Sequence, residues 1–234
     1  FTFDSNDGWL NPSGYTSSYQ SWMWKRHAGF DVVTWTGNNT SATRIHNLGR
    51  TPEMIWYKNM SATRNWKVYH KGLNGGTNPE NYVMDLNQSI AESSNTNYMT
   101  GTAPTSLTFV SGNDGDTNGA GDDYIAFLFA SVDGVSKVGS YNGSTSNVTL
   151  DLGFQPRYII VKARNPASGN QRWQVMDTLR GMTSGSAARM YLDDNQAQQT
   201  GPYVTSVSST GITLATGYTY SNTNGYEYIY YAHA

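Results

Sequence analysis

The sequence predicts an all-β chain: two tandem antiparallel β-sandwich repeats of jelly-roll-like form, preceded by a partial repeat. Three observations predict it. The first is internal repetition. Leu48-Gly49 is followed by Pro52-Glu53-Met54-Ile55-Trp56-Tyr57-Lys58, and Leu152-Gly153 by Pro156-Arg157-Tyr158-Ile159-Ile160-Val161-Lys162, an offset of 104 between Gly49 and Gly153. Tyr124-Ile125 and Tyr228-Ile229 keep that offset, as do Ala130 and Ala234. Self-similarity at a fixed spacing marks duplicated folding units. The second is composition: 24 glycines, 13% aromatic residues, only 14% charged residues and abundant Ser, Thr and Asn. That profile suits many short strands joined by polar turns. The third is local pattern: short bursts of β-branched and aromatic residues, each bounded by Gly, Asn or Pro.

The elements follow in order. Phe1-Thr2-Phe3 resembles Leu107-Thr108-Phe109, and Tyr19 to Trp24 resembles Tyr124 to Phe129. Residues 1–28 therefore read as a partial repeat or N-terminal hairpin. Such a half-copy, with no starting Met, suits a piece of a longer repeat protein or a processed product. It also suits a hairpin that completes a sheet left open by the last unit or by a neighbouring chain. The first full repeat is assigned to residues 29–133 and the second to 134–234. Val32 to Thr36 is a strand ended by Gly37-Asn38-Asn39. Glu53 to Lys58 and Arg157 to Lys162 are strands entered through Pro52 and Pro156, where a missing N–H is tolerated. Asn65 to His70 and Gln171 to Asp177 form the next strand of each unit. The stretches Glu80 to Ala91 and Ala187 to Ala197 suit a short helix or an irregular crossing. Tyr124 to Phe129 and Tyr226 to Ala232 close the units. Tyr226, Tyr228 and Tyr230 share one face of the last strand, because strand side chains alternate. The short connector Ser131-Val132-Asp133-Gly134 implies a close, fixed arrangement of the two units.

Composition also excludes. The net charge is −2 and the 15 basic residues are scattered. A nucleic-acid footprint needs clustered Lys and Arg, so nucleic acid is not an expected partner. There is no cysteine, so neither disulfides nor thiolate–metal sites contribute, which fits synthesis in a host cytoplasm. No apolar run approaches the length of a membrane-spanning helix, and no membrane insertion is expected.

Several segments together resemble a known kind of protein. They are Trp24-Lys25-Arg26, Gly29-Phe30-Asp31-Val32-Val33, His46-Asn47-Leu48-Gly49, Pro52-Glu53-Met54-Ile55, Trp66 to Leu73, Tyr124 to Ala130, and Asp133 to Tyr141. The chain resembles an uncharacterised repeat domain of tail-fibre-like virion proteins of marine phages and cyanophages. The resemblance runs from Trp22 to Ala130 and more loosely through the second repeat. It implies a structural or adhesive virion part and carries over no catalytic residue.

Few motifs carry chemistry. Asp114-Gly115-Asp116-Thr117-Asn118-Gly119 has the D-x-D-x-N-G spacing of the first half of a calcium loop. Asp114, Asp116, Asn118 and Asp122 are thus candidate calcium ligands. The bidentate acid such a loop requires is missing, because Ile125 stands at its position and only Asp122 or Asp123 is near enough to substitute, and the matching loop Gly217 to Gly225 contains no carboxylate. That absence favours a polar hairpin turn over a cation site. His27, His46, His70 and His233 lack metal-ligand spacing and read as surface or turn residues. Lys58 and Lys162 end matching strands and read as solvated strand ends. Trp66, Trp173, Trp35 and Tyr141 recur between units and read as core. Trp9, Trp22, Trp24 and Trp56 have no matching Trp. With Tyr226, Tyr228 and Tyr230 they are the candidates for an exposed aromatic face, which could cover a subunit contact or stack on sugar rings.

These readings favour a non-enzymatic structural or adhesive component of a virion, part of a phage tail fibre or appendage that contacts a host surface. Its partners would be further copies of itself, other virion proteins or a host-surface glycan. Two alternatives stand beside it: a carbohydrate-binding module that uses exposed Trp and Tyr, and a fragment of a polysaccharide depolymerase.

Overall fold

The computed structural model describes residues 23–26, 29–166 and 171–234, and it is all-β with antiparallel sheets. The first half contains β1 (Phe30–Thr36), β2 (Ala42–Ile45), β3 (Met54–Asn59), β4 (Lys67–His70), β5 (Tyr82–Asp85), β6 (Ser93–Ser94), β7 (Thr108–Ser111), the four-residue helix α1 (Gly115–Asn118) and β8 (Asp123–Phe129). The second contains β9 (Ser136–Asn142), β10 (Val148–Asp151), β11 (Tyr158–Ala163), β12 (Gln174–Asp177), β13 (Ala187–Tyr191), β14 (Gln199–Gly201), β15 (Val204–Ser208), β16 (Gly211–Leu214) and β17 (Glu227–His233). Of the stretches expected to form a short helix or crossing, Glu80 to Ala91 begins in a short 3-10 helix (Pro79–Asn81) and continues as β5, and Ala187 to Ala197 carries β13. Val83, Met84, Ala187 and Ala188 give them apolar side chains for both faces of a sheet.

Strand order is the same in both halves. One six-stranded sheet runs β1-β8-β3-β4-β5-β6 and the other β9-β17-β11-β12-β13-β14. Register also matches: Trp35 pairs with Tyr124 and Tyr141 with Tyr228, while Lys58 pairs with Ile125 and Lys162 with Ile229. The small sheets differ. The first half has β2-β7, and the second has β10-β16-β15, with β15 as an added strand.

Four layers result. The Ile55, Tyr57, Tyr124 and Leu128 side of the first large sheet shares a core with Phe109 of the β2-β7 layer. The Ile159, Val161, Tyr228 and Tyr230 side of the second meets Leu150, Val204 and Ile212 of its own small sheet. The remaining faces of the two large sheets pack on each other, through Met54, Trp56, Val68 and Phe129 against Tyr158, Ile160, Val175 and Tyr231. The same face of each half thus meets the other, as in an isologous interface. A sheet covered on both sides needs apolar residues at successive positions, not alternate ones. This is why β3 and β11 read as continuous runs and are buried almost throughout.

Hydrogen bonds seal the seam between halves. Trp173 Nε1 donates to the Asp85 carbonyl at 2.8 Å, Gln171 N to Ser89 O at 2.9 Å, and Glu92 N to Arg164 O at 2.8 Å. Arg164 also pairs with Glu92 and Glu227. Gly37 and Gly143 show how closely the chain doubles back. A Cβ at either would run into the carbonyl of Gly119 or Thr223 and the ring of Tyr124 or Tyr228.

Candidate functional site

Of the five described aromatic residues proposed for a surface, three are buried. Trp56 is 7% exposed, and Tyr228 and Tyr230 are 0% and 5%. Both faces of their sheets are covered, so these side chains are core. Tyr226, Tyr228 and Tyr230 do share a face, but it points at the small sheet, with Tyr226 half-buried at its rim. Trp24 is half-buried and plugs one end of the inter-sheet core, edge-on to Trp56, Phe129 and Tyr158 at 6.2, 5.8 and 5.7 Å. Trp9, Trp22 and His27 lie outside the described residues. Of the recurrent pair, Trp173 is buried, whereas Trp66 is half-buried and stacks on Phe127.

The four candidate calcium ligands face different protein partners. Asp114 caps α1 by accepting from Asp116 N at 2.7 Å. Asp116 pairs with Lys67 at 3.2 Å. Asn118 is fully buried, accepting from Arg44 at 3.0 Å and donating to Thr40 O at 2.6 Å. Asp122 accepts from Asn59 at 2.8 Å. The matching loop makes the same architectural bonds, with Asn222 Nδ2 donating to Ser146 O at 2.8 Å. Among the described residues no group of three or more His, Asp or Glu side chains is placed to hold a metal.

Two histidines read as surface residues are buried. His70 is 1% exposed; its Nδ1 accepts from Gly72 N at 2.9 Å and its Nε2 faces Tyr230 O at 3.2 Å, across the seam. Burial pushes its pKa down to about 4. His46 is 3% exposed and holds Leu48 N and Thr105 O in the same manner. Lys162 is not a solvated strand end either. Its ammonium is fully buried, bonded to the carbonyls of Gln88 and Gln171, 3.7 Å from Asp193 and 5.5 Å from the Trp173 ring centre. Burial lowers its pKa to about 8, against the pull of Asp193. Its counterpart Lys58 is half-exposed and donates to Arg64 O. Lys162 is enclosed by Gln88 of the first half together with Gln171, Trp173 and Asp193 of its own.

One position has diverged between the halves. In the first, Lys67 is held by Asp85 at 2.6 Å and Asp116 at 3.2 Å, under the Tyr98 ring. In the second, Gln174, Tyr191, Tyr220 and Tyr203 take those places around Arg189, whose guanidinium carbon lies 3.8 Å from the Tyr203 ring centre. Arg189 donates to Gln174 and Gln199. Both arrangements satisfy themselves with protein partners.

An open pocket of about 390 Å³ lies beside the connector, lined by Arg50, Pro52, Glu53, Tyr69, Lys71 and Ser131 among others. Glu53 is its hub, accepting from Lys71 Nζ at 2.5 Å and Ser131 N at 2.6 Å. Burial opposes ionisation of Glu53, but those bonds outweigh it and hold the carboxyl below its ordinary range. Arg50 donates to Ser131 O at 3.1 Å. Burial, with Glu80 and Glu53 nearby, raises the Tyr69 phenol. Sequence reading missed this pocket because its residues come from β3, β4 and the connector and form no motif. The one available signal was the failure of Arg50, Glu53 and Lys71 to recur at Phe154, Arg157 and Thr178.

Residues 4–234 match the family described as a domain of unknown function, DUF7483. The chain belongs to the DUF7483 family. No curated protein and no solved structure matches it. The DUF7483 match spans both halves as one unit, in keeping with the core they share.

Proposed function

We propose that this DUF7483 chain is a non-catalytic structural and adhesive protein, a rigid segment of a virion appendage of the tail-fibre kind. The observation that supports it best is the shared core: two large sheets packed face to face and bonded along their seam resist bending better than two beads on a linker. Asp114, Asp116, Asp122, His70 and Lys162, side chains of types able to do chemistry, each hold a structural partner. That supports a contact role over a depolymerase. Ile45 and Leu107, 76% and 67% exposed, neighbour each other at one end of the β2-β7 layer. They favour contact with a second copy or with another virion protein. The resemblance to phage tail-fibre-like proteins supplies the setting. Immunogold electron microscopy of the source particle tests the reading: label on an appendage supports it, and label absent from every particle ends it.

A further inference from the structure

We propose that the pocket lined by Arg50, Glu53 and Lys71 is a subsite for a carboxylate-bearing sugar residue, a hexuronate. The idea rests on the adhesive reading for where such a ligand is met, on a surface polysaccharide. Volume is the first argument. About 390 Å³ sits at the small end of ligand pockets and suits one sugar ring, and the open mouth leaves room for the polymer to continue outward.

Charge is the second. Glu53 is already occupied by Lys71 and Ser131 N. Arg50 has no carboxylate partner among the described residues and keeps guanidinium N–H groups beyond its bond to Ser131 O. A guanidinium fork matches a carboxylate in two parallel hydrogen bonds. The Lys71 ammonium, paired with Glu53 at 2.5 Å, offsets that carboxylate and leaves Arg50 as the uncompensated charge. Glu80 acts on the Tyr69 side, so the negative end of the ligand belongs at Arg50. Pro52 and Tyr69 line the pocket but are themselves buried, so the hold on the sugar is polar and comes from Arg50 at the rim.

The third argument is divergence between halves. The counterpart of Arg50 is Phe154, buried at 6% exposure in its own core with Met182. The counterpart of Glu53 is Arg157 and that of Lys71 is Thr178. A feature required by the shared scaffold would recur in both halves, and this one does not.

NMR titration of the intact protein tests the proposal, with glucuronate, glucose, glucose 6-phosphate and acetate as separate ligands. Glucuronate should shift the amide signals of Thr51, Glu53 and Lys71 saturably and bind at least ~10-fold more tightly than the other three. Arg50→Gln should weaken glucuronate at least ~10-fold with melting unchanged, since the side chain is exposed. Arg50→Lys, which keeps the charge but loses the fork, should fall between. Equal binding of glucose or acetate, tighter binding of the phosphate ester, no saturable shift, or an unaffected Arg50→Gln protein would each overturn it. None of these outcomes bears on where the protein sits in a particle, so the two readings fail separately.

Discussion

Tyr124 and Tyr228 perform the same task in the two halves. Tyr124 stacks on Trp35 at 5.5 Å and 12°, and Tyr228 on Tyr141 at 4.9 Å and 8°. Each hydroxyl accepts from the loop that precedes its strand, from Gly119 N at 2.7 Å or Thr223 N at 2.9 Å. Each donates to a carbonyl of that loop, Gly115 O at 2.7 Å or Thr219 O at 3.1 Å. The pair pins the loop to the sheet and explains why D-x-D-x-N-G in one half answers to Tyr-x-Tyr-x-Asn-Thr in the other.

Removing either hydroxyl strands a backbone donor and acceptor in a partly buried site. Tyr124→Phe and Tyr228→Phe should each cost about 1–3 kcal/mol. Because they lie in different core clusters, the double variant should cost the sum. Urea unfolding at constant slope measures this. A neutral Tyr228→Phe would remove the loop-pinning role.

The shared core predicts one cooperative transition for the whole described chain. Ile160→Ala, in the inter-sheet layer, should cost about 2–5 kcal/mol. Trp173→Phe, which leaves the Asp85 carbonyl only the 3.4 Å bond from Gln88 N, should cost about 0.5–1.5 kcal/mol. In native-state hydrogen exchange both should lower protection of β3 and β8 as much as that of β11 and β17. Loss confined to the second half would mean that the halves open independently.

The all-β class, most strand positions and the matching of Trp35 with Tyr141 were legible because β-branched and aromatic runs between Gly and Asn have few other solutions. Burial was less legible. Trp56 looked like a surface residue for want of a matching Trp, yet its counterpart Ile160 fills the same inter-sheet layer. Recurrence reports that a position is constrained, not which face it occupies. His70 and Lys162 misled for a related reason. Each bonds to a carbonyl of the other half, of Tyr230 and of Gln88, and no spacing within a single repeat encodes that.

His70 gives the fold a pH dependence of definite sign. Its folded pKa of about 4 lies below the unfolded value near 6.5, so the unfolded chain binds the proton more readily between those values. Its contribution is full above pH 6.5 and is lost as pH falls toward 4, to a total of about 3 kcal/mol. His70→Gln should flatten that part of the stability profile while keeping a side chain able to meet Gly72 N and Tyr230 O. An unchanged profile would assign the dependence to other groups.

Calcium provides the last test. Asp114 caps α1, and Asp116, Asn118 and Asp122 bond to Lys67, Arg44 and Asn59. Turning them onto one cation would break an ion pair and buried hydrogen bonds. Millimolar calcium or a chelator should therefore leave Tm unchanged. Asp114→Ala should cost about 1 kcal/mol through the lost cap, by the same amount with calcium or without it. A calcium-dependent difference between Asp114→Ala and the parent protein would mean that the loop opens to take the ion.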